Sequence, residues 1–134
     1  MNSPDSTDAL SENYRLLARY NGWFNARLYD ACEQPDDAAR KQPRGAFFGS
    51  IHATLNHVLW GDLMWLGRFA AQPGGSLLLH APWRDLPAGA GADTELHADW
   101  AALRAHRAEA DAGIEVWCAG LTPKRCARRC ATAT

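Results

Sequence analysis

Three stretches of helical apolar periodicity, with no fourth after them, set the limits on what this sequence can fold into. From Leu10 the apolar and aromatic residues fall at Leu10, Tyr14, Leu17, Phe24, Leu28 and Ala31, in steps of four and three interrupted by Asn21. That period gives a helix one apolar stripe to bury. Ser6, Thr7 and Asp8 offer N-cap oxygens and Pro35 marks the far boundary, which predicts a helix over about 9–33. Residues 34–47 are polar, contain Pro35, Pro43 and Gly45, and read as a loop.

A second helix is predicted from Gly49 or Ser50 to about Gln72, ahead of Pro73-Gly74-Gly75. One face carries Phe48, Ile51, Leu55, Leu59, Leu66 and Phe69, interrupted by Asp62; the opposite face carries Ala53, His57, Trp60 and Met64. A helix apolar on two faces is buried on two faces, so its second face is expected against something outside the core, such as another subunit. Residues 73–92 are rich in Gly, Pro and Ala and form a long crossover, with Leu77, Leu78, Leu79 and Trp83 as anchors. The third helix is predicted over about 94–119, capped by Asp93 and Thr94, with a stripe of Leu96, Trp100, Leu103, Ala110, Ile114 and Trp117. Gly120 and Pro123 end it.

The expected class is therefore all-α: an up-down helical bundle, with three helices of a four-helix arrangement. An antiparallel bundle of four needs a fourth apolar face, and none follows Pro123. Residues 124–134 hold Lys124, Arg125, Arg128 and Arg129, no acid and no large apolar side chain. Removing those four charges from the 14 basic and 15 acidic residues leaves 10 against 15, so residues 1–123 carry −5 and the tail +4. The expected division is a bundle domain over 1–123, lacking its last helix, and an atypical Cys/Arg tail over 124–134. The break in composition after Pro123 is the pattern of a shifted reading frame in a GC-rich source, which predicts the missing helix in another frame downstream.

Hydrophobic residues are 47% of the 134 positions and charged residues 22%, enough apolar mass for one core. The formal charge of −1 lacks the basic excess of a nucleic-acid or polybasic membrane partner, so neither is expected. No run approaches a membrane span, and Met1–Asp8 is polar and acidic, unlike an export signal. Cys32, Cys118, Cys126 and Cys130 show no disulfide-framework spacing. A cytoplasmic chain with reduced thiols is the expectation.

The five histidines offer little by spacing. His52 and His57 lie about 140° apart on a helix, and His97 and His106, nine apart, fall on opposite faces of the predicted third helix. His80 lies in the crossover, and no HExxH exists. Cys126 and Cys130 are four apart, but read as incidental thiols in a basic tail. Most of the six tryptophans sit on the stripes as core residues; Trp83 is the exception and a candidate to cover a pocket. Asp62 on the apolar stripe is a candidate buried carboxylate, which a hydrogen bond to Asn21 or Arg27 would make ordinary packing.

Two segments resemble the DinB family of damage-inducible bacterial proteins. One is Asn21-x-Trp23-x-Asn25-x-x-Leu28-Tyr29; the other, more specific, is RGAFFGSIHATLNHVLWGDLMWLGRF from Arg44 to Phe69. Pro82-Trp83 and Ala98-Asp99-Trp100 extend the resemblance, which covers roughly residues 10–123. It implies a homodimeric four-helix bundle holding a divalent metal (nickel, zinc or iron) in an open three-histidine site. One ligand would come from the Asn56-His57 dipeptide and two from an H-x-x-x-H on the last helix. The implied chemistry is that of a metal-dependent hydrolase or a thiol S-transferase acting on a small thiol-bearing substrate. This sequence contains no H-x-x-x-H, so His57 alone carries over as a metal ligand and the activity is expected to be impaired. The competing expectation is a non-catalytic dimerising helical module.

Overall fold

The computed structural model describes residues 6–73, 75–79 and 81–121. Its elements are α1 (Ser6–Glu33), α2 (Asp37–Lys41), α3 (Ile51–Ala70), α4 (Ser76–Leu79), a 3₁₀ turn (Pro82–Arg84) and α5 (Trp100–Ala119). The fold is all-α, and no strand occurs among the described residues. His80, Pro123, Cys126, Cys130 and the 124–134 tail lie outside them, as does the domain division at residue 123.

The three long helices form where the periodicity places them, with two differences at their edges. The 34–47 segment holds a short helix, α2, because Asp36 caps it by accepting from the Ala39 N–H at 2.7 Å. Its Arg40 is buried, lies over the Trp100 ring at 4.2 Å and donates to the carbonyls of Cys32 and Pro35. The third long helix begins at Trp100, six residues after the predicted start at Thr94. Thr94 is used up in a turn, where its Oγ1 and N–H both bond Gly91, and Asp99 is the cap, accepting from Ala102 N–H at 2.9 Å.

The core has two centres. One joins Ala18, Leu66, Ala70, Leu78, Trp117, Cys118 and Leu121; the other joins Tyr29, Leu55, Leu59, Leu63, Trp100, Leu103 and Ala110. Trp83 packs against both, so it is a wedge between the core centres and not the cover of a pocket. Its indole fills the space over Gly113, where an added Cβ would lie 2.2 Å from a ring carbon.

The stripes of α3 and α5 bury as expected, but that of α1 does so only in part: Leu10, Tyr14 and Leu28 pack against the core centres. Leu17 and Phe24 are about half exposed, and the inward face is Ser11, Ala18, Asn25 and Tyr29. A polar cluster sets this rotation. Asn21 and Asn25 both donate to the Asp111 carboxylate, at 3.0 Å and from 3.1 Å, and Arg107 donates to the same carboxylate at 2.6 Å. Arg107 also reaches Asp62 across the helices at 2.8 Å. Asp62 therefore pairs with neither Asn21 nor Arg27, and α1 docks on α5 through asparagines where apolar contacts were expected. Trp23 and Trp65 are likewise about half exposed, so only Trp100 and Trp117 are buried tryptophans.

Candidate functional site

His57 is the residue that the family-like motif singles out, although its spacing to the other histidines did not. It projects from α3 toward the crossover. Its Nδ1 lies 2.8 Å from the Ala92 carbonyl; a carbonyl only accepts, so Nδ1 carries the proton and Nε2 of the neutral ring is bare. The ring is stacked on Phe48 at 3.8 Å between centroids and faces Trp60 at 5.7 Å. Trp60 in turn donates to the Ala90 carbonyl at 3.3 Å. His57 and Trp60 on the second face of α3 thus contact the chain's own crossover. Fixing one imidazole nitrogen on a backbone carbonyl and leaving the other free is how proteins orient a ligand histidine.

Among the described residues the rest of a metal centre is not assembled around it. Among the described residues no group of three or more His, Cys, Asp or Glu side chains could hold a metal ion. A single imidazole does not retain a divalent transition ion against water. The donors brought together at His57 therefore do not fit the three-histidine centre that the resemblance implies.

The other histidines depart from the spacing argument. His52 is buried in α3, and its Nε2 donates to the His97 carbonyl at 2.7 Å. Asn56 bonds the His97 backbone on both sides. Because α5 starts only at Trp100, His97 belongs to the crossover and folds back, so its Nε2 sits 2.7 Å from His106 Nδ1. The prediction of opposite faces assumed one helix through both residues and fails for that reason. Burial and the neighbouring His106 hold the His97 pKa below its ordinary value. The sequence signal that was available, and missed, is Asn56 itself: an amide among Leu55, Leu59 and Leu63 on a core face needs partners.

The DinB family model matches residues 5–118, which is most of the chain. The chain belongs to the DinB family. The match takes in the described helices up to Cys118 and the Asn56-His57 dipeptide. No curated protein and no solved structure matches the chain. Among the described residues, no helix of this DinB-family chain is long and apolar enough to cross a membrane.

Proposed function

We propose that this DinB-family chain works as a self-associating helical module, docking the outer face of α1 on a second copy. The observation that carries this reading is the exposure of Leu16 at 55%, Tyr20 at 56% and Trp23 at 56%, on the side of α1 turned away from the core. They recur at spacings of four and three, the seam by which one helix packs along another. A contiguous aromatic patch of this kind on a small domain marks an interaction surface.

The charges on the same face favour a second copy as the partner. Exposed Glu12 lies at one end and Arg27, stacked over Trp23 at 4.9 Å, at the other. Two α1 helices running antiparallel about a two-fold axis set Glu12 of each copy opposite Arg27 of the other, and Leu16 opposite Trp23. A parallel arrangement would oppose like charges. Single reversals, Glu12→Arg or Arg27→Glu, are expected to weaken association, and the double reversal to restore it. Equal association in all four proteins would refute this register.

A second reading keeps the metal chemistry of the resemblance, as a hydrolase or thiol S-transferase on a small thiol-bearing substrate. The bare Nε2 of His57 favours it, with His57 as one ligand of a divalent metal. Metal analysis of the purified chain and of His57→Ala tests this reading. One equivalent of nickel, zinc or iron lost on substitution supports it, and substoichiometric metal in both removes it.

A further inference from the structure

α1 and α3 pack on the same core without approaching each other closely, which leaves a trough between them. Two hollows mark its length. One, of about 260 Å³, lies among Leu17, Trp65 and Phe69, with Trp117 of α5 in its lining. The other, of about 340 Å³, lies among Leu28, Ile51 and Val58 and includes Arg44. Asn21 and Asp62 stand between them, at the middle of the trough. Leu17, Phe24, Val58 and Trp65 are all about half exposed. The aromatic patch on the outer face of α1 runs into this trough without a gap, because Tyr20 stacks on Phe24 at 6.1 Å and lies 5.9 Å from Trp23.

α3 carries Thr54, Val58, Gly61 and Trp65 on one stripe, in steps of four, three and four. Leu16, Tyr20, Trp23 and Arg27 recur on α1 at the same spacing, and such stripes are the seams by which helices pack lengthwise. A Cβ added at Gly61 would meet nothing within 4 Å, so a neighbouring helix can come close there. The rest of the chain does not supply that helix: residues 1–5 and 122–134 contain one large apolar side chain, Met1.

We propose that α1 of a second copy lies in this trough, so that α1 and α3 of the two copies form a four-helix arrangement and each copy completes the other's core. The inference rests on the α1 association proposed above and adds α3 as its second wall. The midpoint of the Glu12–Arg27 pairing falls between residues 19 and 20, within a turn of Asn21 at the middle of the trough, so the incoming helix spans both hollows. Tyr20 at that midpoint brings a hydroxyl that can donate to Asp62, which stays 40% exposed beside its bond to Arg107. Glu12 of the incoming helix reaches the end of the trough where Arg27 and Arg44 are both exposed. A single pair of helices about four turns long is a small contact. A second wall brings it toward the roughly 1,200 Å² of total burial at which stable association begins.

The test is sedimentation equilibrium of the full chain carrying Gly61→Glu or Val58→Glu, with Trp23→Ser alongside. Isotope-filtered NMR of mixed ¹³C-labelled and unlabelled chains accompanies it. Gly61→Glu sets a charge where the single chain has room for it, so the variant should fold, as circular dichroism checks, and associate at least tenfold more weakly. Val58→Glu should do the same from the next turn. In the mixed sample the Val58 methyls should contact the Tyr20 or Trp23 ring of the other copy, a readout that needs no variant to fold. Weakened association in Trp23→Ser, with both Glu variants folded and as tight as the parent, would overturn the trough and leave the α1 pairing standing. An associating parent whose Val58 methyls touch no α1 ring of the other copy would overturn it as well. A parent that stays a single chain at every concentration removes both.

Discussion

Asn56 holds the backbone of His97 from both sides, its Oδ1 accepting from the His97 N–H at 2.9 Å and its Nδ2 donating to the His97 carbonyl at 3.2 Å. This amide pair is the hinge pin between α3 and the crossover, and Asn56 is 1% exposed. Replacing it by Ala leaves both buried groups of His97 without that partner. Asn56→Ala should cost about 1–3 kcal/mol in denaturant unfolding and free the 90–97 segment to faster amide exchange.

Gly113 is where the crossover enters the core. Any Cβ at this position would fall 2.2–2.8 Å from three atoms of the Trp83 indole, a rigid ring wedged between the two core centres. Gly113→Ala should destabilise the chain by about 1–3 kcal/mol despite the higher helix propensity of alanine. A Trp83→Leu change in the same chain should recover part of that loss, measurable as a double-mutant cycle.

The Arg107–Asp111 pair is buried, at 3% and 8% side-chain exposure, and completed by Asn21, Asn25 and Asp62. Removing one partner strands the other charge. Asp111→Ala should cost about 3–5 kcal/mol in urea unfolding, and Asp62→Ala much less, because Asp62 keeps contact with solvent.

Acidification should weaken the fold through His97. Burial lowers its folded pKa below the unfolded value, so the unfolded chain takes up a proton first. The stability that this group supports is full above its unfolded value of about 6.5 and is lost as pH falls below it. Unfolding free energies measured from pH 7.5 to 5 should decline, and His97→Gln should flatten that part of the profile.

The long helices and the α3 and α5 core faces were legible in the sequence because apolar residues recur there at helical spacing. The rotation of α1 was not. Its stripe through Leu17 and Phe24 is as apolar as any, yet Asn21 and Asn25 face inward to satisfy Asp111, a demand set by a residue far along the chain. Spacing also misjudged His97, since treating 94–119 as one helix overlooked Asp99 as the stronger cap. His57 was legible as a position, while its surroundings depended on where the crossover lay.

The central claim is that α1 presents a face for a second copy of this chain. Sedimentation equilibrium over a range of concentrations, on the parent chain and on Trp23→Ser, tests it most directly. The account predicts a species of two 14.7 kDa chains for the parent and a shift toward the single chain for the variant. A parent that stays at 14.7 kDa throughout, or a Trp23→Ser dimer as tight as the parent's, would contradict it.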